Sequence, residues 1–403
     1  MGRRPTAFPV SLSHPLASRP PLGGGCLTTH VVSVGTGRFG KRPEGLIDLA
    51  AEAAQRALEG IGRKPVDLLV GGTMLAHGPH GSEAFLPRLA SRLSLESASG
   101  LRVDSASGTG GMAFQTAVLA LESGRFERAL VVGAEKMTDR STAVITRELA
   151  ASLHSSEVAV GATMPALAAL VVEQYLQRYE LTTSVLDIAS VHARAMAARN
   201  VNAQFQRAVT AEEVATSRPV ALPLRLLHCS PISDGATALV LERGRGPATV
   251  LGLGQGLDAL RLVDRTDLTS FLATRIAAKR AYESAHLTRK EIDFAEVHDA
   301  FSPFGMIHIE DLGICGAGEA PAWFEKGWAG LDGRVPVNPS GGVIGRGHPV
   351  AASGLAEVAE VALQLRGEAG THAIARTPKV GLAHAMSGIG THNFVTILGR
   401  EGA

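Results

Sequence analysis

A histidine at the end of a glycine-rich loop is the residue best placed for chemistry in this chain. Residues 338–354 read NPSGGVIGRGHPVAASG, and His348 stands where this loop runs into a predicted helix. An imidazole in that position can accept or donate a proton as a general base or acid. The alternative interpretation is a loop histidine that the following helix merely holds in place.

Ser107, in the run VDSASGTGGMAF, is a second candidate because it also precedes a predicted helix. The start of a helix carries partial positive charge and free backbone N–H groups, which favour a nucleophile and can hold an oxyanion. A serine hydroxyl needs an adjacent base to react at neutral pH, and His348 is the candidate base. The alternative is that Ser107 is only an N-cap residue.

The elements that must position these two residues occur twice along the chain. The first set is VVSV, the helix LIDLAAEAAQRAL and the strand VDLLV, and the second is ATVLGLG, FLATRIAAKRAYESA and IDFAEV. Ser107 and His348 then stand at equivalent helix starts of the two sets. Alanine-rich helices allow close approach of layers, so the pattern predicts an α/β protein with two similar halves in a five-layer αβαβα sandwich.

Residues 140–222 interrupt this rhythm with several helical segments and predict an inserted loop subdomain, after which ATALVLERG returns to the first half. We therefore predict three parts. They are a disordered extension at 1–28, an N-terminal half at 29–250 that contains the loop subdomain, and a C-terminal half at 251–403.

Composition excludes several classes of function. The net charge of the 403-residue chain is +1, so no global field would attract nucleic acid or an anionic membrane. No apolar run is long enough for a membrane span. The three cysteines, Cys26, Cys229 and Cys315, are widely spaced, which favours a reducing compartment, and we predict a cytoplasmic protein.

Two further site types are disfavoured by spacing. Residues 35–40 read GTGRFG and fit the GxGxxG pattern of dinucleotide-binding proteins, but Lys41, Arg42 and Pro43 delay the following helix. The histidines and cysteines show no spacing typical of metal ligands, so we predict no metal site.

Five segments, taken in order, resemble the thiolases, in particular the sterol-carrier-protein thiolases and archaeal acetoacetyl-CoA thiolases. The resemblance runs from about residue 31 to 398, and the segments are VGTGRFGKRPEGLIDLAAEAAQRAL, LVVGAEKMT, PLRLLHCSPISDGATALVL, VHDAFSPFGMIHIEDLG and VPVNPSGGVIGRGHP.

The resemblance implies the thiolase fold, with βαβαβαββ halves, and transfer of an acyl group from a CoA thioester, the substrate, without a separate cofactor. In that family a cysteine stands where this chain has Ser107. The resemblance also implies a homodimer or tetramer, a place in lipid metabolism and, as in some relatives, a small OB-fold protein partner.

The resemblance further implies that His298, in HDAF, and His348 together polarise the thioester oxygen. The family's second, acid/base cysteine is replaced at its two known places by Ala300 and His384. His384 and His298 are then the candidates for removal of the α-proton of the second substrate. The N–H groups of Ser107 and of the loop from Met386 to Gly388 are expected to hold the oxyanion.

The leading functional hypothesis is an acyl-CoA-dependent acyltransferase, similar to acetyl-CoA C-acyltransferase, that carries the acyl group on Ser107. One alternative is a lyase that cleaves a β-hydroxyacyl-CoA by a retro-aldol reaction. Another is a non-catalytic CoA- or lipid-binding subunit.

Overall fold

The computed structural model describes residues 28–62, 64–75 and 84–402. The disordered extension predicted for 1–28 lies outside this range apart from Thr28. Within the described part, no helix is long and apolar enough to cross a membrane.

One large sheet organises the described residues. Its nine strands lie in the order β3-β2-β4-β7-β1-β8-β11-β10-β9, and β5 and β6 form a separate pair. The strand bounds are β1 Thr29–Thr36, β2 Leu68–Gly72, β3 Ser99–Arg102, β4 Arg128–Glu135, β5 Pro219–Ala221, β6 Leu224–Arg225, β7 Gly235–Arg243, β8 Ala248–Leu257, β9 Phe294–Val297, β10 Val380–Ser387 and β11 His392–Arg400.

The sheet consists of two half-sheets that meet at one corner. β1 and β8 pair through two residue pairs, His30 with Thr249 and Val31 with Ala248, whereas each pairs along its length with its other neighbour. The strands β3, β2, β4, β7 and β1 therefore belong to the first half, and β8, β11, β10 and β9 to the second.

Helices cover both half-sheets and fill the space between them. Their bounds are α1 Leu46–Glu59, α2 Phe85–Leu93, α3 Thr109–Glu122, α4 Thr142–Ala150, α5 Ser155–Ala159, α6 Met164–Arg178, α7 Ser184–Ala197, α8 Ala211–Ala215, α9 Leu272–Ala285, α10 Ser302–Asp311, α11 Ala320–Glu325, α12 Gly342–Arg346 and α13 Val350–Arg366.

The layers follow from which elements touch. The central helices α3 and α13 contact each other, and α13 contacts β4 and β7 on one side and β10 on the other. On the outer faces, α1 packs on β1 and β7, and α9 packs on β8 and β11. This five-layer arrangement confirms the predicted fold class.

The two halves differ in one strand. The place of a third strand in the second half is taken by Val337, which forms a single parallel bridge with Ala295. The helices α4 to α8 and the pair β5–β6 lie between β4 and β7, where the loop subdomain was predicted. The predicted domain division at about residue 250 falls within β8 and stays a prediction.

Small residues let α3 and α13 approach closely. A Cβ atom at Gly110 of α3 would lie 2.3 Å from the backbone N of Leu355 in α13, and one at Gly354 would lie 2.8 Å from the N of Gly111. Both distances are shorter than any normal contact. The glycines are therefore required for the helix contact on which the site between the halves depends.

We expect Gly110→Ala to destabilise the protein by about 1–3 kcal/mol, because the added methyl group meets rigid backbone of α13 that cannot move aside. Urea unfolding followed by circular dichroism measures the change. Gly100→Ala is the matched control, since a Cβ there meets only the Cδ1 of Leu86 at 3.7 Å. Equal loss of stability in the two variants would contradict this account of the helix contact.

Candidate active site

Ser107 lies at the junction of the two halves. It belongs to a 3₁₀ turn, Ala106–Gly108, that leads directly into α3 and contacts α13 and β10. Its side chain is buried, and its Oγ donates a hydrogen bond of 2.8 Å to the carbonyl oxygen of Met386. The turn thus holds the hydroxyl at the start of a helix and against the end of β10.

The backbone N–H groups of Ser107 and of Gly388, which stands two residues after Met386, have no partner in the described part of the chain. Met386 itself presents its carbonyl to Ser107. An oxyanion could accept hydrogen bonds from unpaired N–H groups of this kind, whereas Met386 uses its carbonyl oxygen to accept the Ser107 hydroxyl.

His348 is held by bonds to two serines. Its backbone N–H donates to Ser233 Oγ, and its ring Nδ1 lies 2.8 Å from Ser353 Oγ. The Ser353 hydroxyl also donates to the carbonyl of Pro349 (3.2 Å). A hydroxyl has one proton to give, so we assign the proton of this ring to Nδ1, which leaves Nε2 as an acceptor.

The surroundings of His348 keep its ring uncharged. Burial, together with the neighbouring His298 and Arg346, holds the pKa of His348 well below its usual range. A neutral ring with a free Nε2 is suited to take up a proton. The structure shows no hydrogen bond between this ring and Ser107, whose hydroxyl is directed to Met386.

His298 follows the last residue of β9 and is fully buried beside His348. The two rings meet edge to face with 5.0 Å between their centres. His298 Nδ1 lies 2.9 Å from Glu357 Oε1 of α13, while Nε2 has no hydrogen-bond partner in the described residues. Burial, with the charge of Arg346, lowers the pKa of His298 to about 3.

His384, on β10, lies behind His298 with both ring nitrogens engaged. Its Nδ1 accepts the backbone N–H of His298 at 3.5 Å, and its Nε2 lies 3.4 Å from Thr274 Oγ1. The ring packs against His308 with 4.2 Å between centres. The structure therefore groups His384 with His298, at a position where its contacts support the neighbouring backbone.

A buried contact between a guanidinium and a carboxyl group supports the loop that carries His348, although burial raises the pKa of that carboxyl group, Glu296, to about 8. Arg346 Nη1 lies 3.5 Å from Glu296 Oε2 and donates to Ser340 Oγ, and Glu296 accepts the N–H and the hydroxyl of Ser340. Asn338 accepts the N–H of Val297 at the end of β9. These contacts tie the glycine-rich loop to the strand that leads to His298.

Glu357 was not among the site residues predicted from the sequence, although the sequence contains a signal for it. Glu357 stands in the run GLAEVAEVAL, whose other residues are apolar or glycine apart from Glu360, one turn later. A carboxyl group in so apolar a helix is expected to be buried and then needs a partner. Its partner, His298, lies 59 residues earlier in the chain and is evident only from the structure.

An open cleft of about 240 Å³ borders the Ser107 turn. Its lining is Met74, Leu75, Asp104, Ala106, Glu148, Ala151 and Ser152. The carbonyl of Ser152, one of the lining residues, lies 4.0 Å from the place of a Cβ on Gly388, so the Gly388 loop stands close to this side of the cleft. In the described residues, no group of three or more His, Cys, Asp or Glu side chains is arranged to hold a metal ion.

Solved structures of known proteins share this fold. The Ltp2-ChsH2(DUF35) aldolase superimposes with a TM-score of 0.80 at 24% identity, over 93% of this chain and 98% of that one. Human mitochondrial 3-ketoacyl-CoA thiolase superimposes with a TM-score of 0.73 at 16% identity, over 94% of this chain and 100% of that one. At these identities the likeness concerns the fold alone.

Sequence comparison gives the family. Residues 29–244 match the model of the thiolase N-terminal domain, and residues 254–400 match that of the thiolase C-terminal domain-like family. The acetyl-CoA acetyltransferase of Methanothermobacter thermautotrophicus is 37% identical over 383 residues, which cover 92% of this chain and 99% of the relative. With both halves matched and a relative aligned over nearly its whole length, this chain is a member of the thiolase superfamily.

Proposed function

We propose that this protein transfers an acyl group from a CoA thioester and carries it as an ester on Ser107. The observation that carries the proposal is the position of Ser107, buried at the start of α3 and bonded to Met386, while the N–H groups of Ser107 and Gly388 have no partner among the described residues. The 37% identical relative is named as an acetyl-CoA acetyltransferase, which supports an acyl-CoA substrate.

In the first step Ser107 Oγ attacks the thioester carbonyl. Its proton passes to Nε2 of His348, directly or through a water molecule, once the hydroxyl turns away from Met386. The oxyanion forms beside the N–H groups of Ser107 and Gly388. The C–S bond then breaks, and the leaving CoA thiolate takes the proton from His348, so that the ring is again neutral.

In the second step a second acyl-CoA loses its α-proton to Nε2 of His348, and the electron pair moves into an enolate on the thioester oxygen. The carbanion attacks the Ser107 ester, a carbon–carbon bond forms and the ester C–O bond breaks. Ser107 Oγ recovers the proton from His348. We assign His384 to support of His298, because both of its ring nitrogens are already engaged.

The cleft beside Ala106 is the proposed entry for substrate. It opens next to the Ser107 turn and the Gly388 loop, and Met74, Leu75 and Ala151 give it an apolar lining. An apolar lining with a few polar groups is typical of small-molecule sites.

A retro-aldol lyase is the second candidate, because the Ltp2-ChsH2(DUF35) aldolase has the same fold. That reaction would use the histidines without an ester on Ser107. The two are separated by assaying acetyl-CoA condensation, acetoacetyl-CoA thiolysis and β-hydroxyacyl-CoA cleavage side by side. Condensation or thiolysis supports the proposal, and cleavage of the hydroxyacyl-CoA alone overturns it.

The quaternary structure, the cytoplasmic location and a small OB-fold partner remain part of the proposal. β3 lies at an edge of the sheet and its four residues are exposed, which supports self-association of this face. Size-exclusion chromatography with light scattering measures the expected dimer or tetramer.

A further inference from the structure

Glu357 is a buried carboxyl group that contacts His298, and the proposed steps give it no role. Glu357 Oε1 lies 2.9 Å from Nδ1 of His298, and the side chains of both residues are fully enclosed, with 1% and 0% exposure. The contact leaves two polar atoms of the pair, Glu357 Oε2 and His298 Nε2, without a partner in the described residues.

The surroundings of Glu357 favour its neutral form. Arg346, the cation whose charge acts on Glu357, makes no hydrogen bond to it among the described residues; it donates to Ser340 and lies 3.5 Å from Glu296. An ionised carboxylate with one oxygen unsatisfied in a fully buried place is costly, whereas the protonated acid is not. In agreement, burial holds the pKa of Glu357 well above its usual range, although the charge of Arg346 acts against this.

The neighbouring turn of α13 shows the opposite case. Glu360 Oε1 accepts a hydrogen bond from Gln364 and Oε2 lies 3.1 Å from His372 Nε2, so both of its oxygens have partners. Burial acts to lower the pKa of His372, but the bond and charge of Glu360 outweigh it and raise the pKa. The two carboxyl groups of α13 therefore differ. Both oxygens of Glu360 have partners that suit an ionised carboxylate, whereas Glu357 Oε2 has no partner in the described residues.

We infer that Glu357 is a neutral acid whose O–H donates to Nδ1 of His298 and thereby keeps the ring proton of His298 on Nε2. His298 and His348 then have opposite tautomers. His298 presents an N–H to the site, while His348 presents a free nitrogen. Glu357 acts through His298 and is therefore a positioning residue.

This assignment gives the two adjacent imidazoles different tasks. An Nε2–H on His298 is a donor that can stabilise the thioester oxygen as it gains negative charge in the enolate. That this oxygen belongs to a thioester rests on the proposed acyl transfer. The tautomer of His298 does not rest on that proposal, because it is a property of the ligand-free protein.

The test compares Glu357→Gln with Glu357→Met in the full chain. A glutamine amide donates to Nδ1 as the acid does, whereas methionine fills the same space and donates nothing. Nitrogen-15 NMR of protein labelled at histidine reports which ring nitrogen carries the proton, and loss of a signal in His298→Asn assigns it. We expect an Nε2–H tautomer in the unmodified protein and in Glu357→Gln, and a mixture of tautomers in Glu357→Met.

The rate of acyl-CoA turnover supplies the second readout. Glu357→Gln should stay within about threefold of the unmodified protein, and Glu357→Met should lose at least about tenfold, since an oxyanion donor contributes about 10²–10³ in rate. Glu360→Gln, the same change one turn later, is the control and should lower the melting temperature without shifting the His298 tautomer.

Two results would overturn the inference. One is a proton on Nδ1 of His298 in the unmodified protein, which would mean that Glu357 is an ionised acceptor. The other is a Glu357→Gln variant that shows the mixed tautomers expected of Glu357→Met. If the tautomers follow the inference but no variant turns over acyl-CoA, only the proposed function fails.

Discussion

Ser107→Ala is expected to abolish the acyl-enzyme and to lower acyl transfer by at least about 10³-fold, because no other group would accept the acyl chain. Ser107→Cys is expected to acylate faster than the unmodified protein, since a thiol is partly ionised at neutral pH and is the stronger nucleophile. Release of CoA from acetyl-CoA, followed with a thiol reagent under single-turnover conditions, measures both changes.

Ser105 offers a demanding control for that prediction. It lies on the same turn, and its hydroxyl is 3.1 Å from His392 Nδ1 and 2.8 Å from Ser387 Oγ, so it also has an imidazole beside it. Ser105→Ala should keep acylation within about tenfold of the unmodified protein. Loss of acylation in Ser105→Ala with retention in Ser107→Ala would move the nucleophile to Ser105.

His348→Ala is expected to lower the rate constant of acylation by about 10²–10⁴-fold, the usual contribution of a general base. Ser353→Ala should cause a smaller loss, because it removes the bond that fixes the proton on Nδ1 but leaves the ring in place. Stopped-flow measurement of CoA release over a range of substrate concentrations separates the rate constant from binding. Equal rates in His348→Ala and the unmodified protein would exclude His348 as the base.

The pH dependence of acylation gives a second check on His348. Burial holds its pKa well below the usual range, so the ring stays unprotonated and able to act as a base as pH falls past 6.5. Activity is lost only when pH falls through this lowered pKa. We therefore expect a level rate from pH 7.5 to 6. A decline centred near pH 6.5 that is absent from His348→Ala would contradict the assignment.

The repeat in the sequence was sufficient to predict the layers of the fold. Hydrophobic periodicity identifies strand, helix and strand in each half, and equivalent helix starts place Ser107 and His348 near one another. In the structure the Ser107 turn contacts α13, the helix that His348 precedes. It was less predictable that the third strand of the second half is reduced to a single bridge. That bridge joins Val337 to Ala295, and it depends on this pairing and not on a local sequence pattern.

The details of the site lay beyond the sequence because they depend on contacts between distant residues. The acceptor of the Ser107 hydroxyl is Met386, 279 residues away, and nothing local predicts that this carbonyl competes with a base. The same holds for Glu357 and His298. Proton positions on buried rings follow from the whole hydrogen-bond network, which only the folded chain defines.

The central claim is an ester on Ser107, and mass spectrometry tests it most directly. The protein is mixed with acetyl-CoA, quenched in acid within its first turnover and digested, and the peptide that contains Ser107 is fragmented. We predict an added acetyl group on Ser107 in the unmodified protein, a thioester at the same position in Ser107→Cys, and no added mass on this peptide in Ser107→Ala. An acetyl group that persists on the peptide in Ser107→Ala, or none in any of the three proteins while acetyl-CoA is consumed, would contradict the claim.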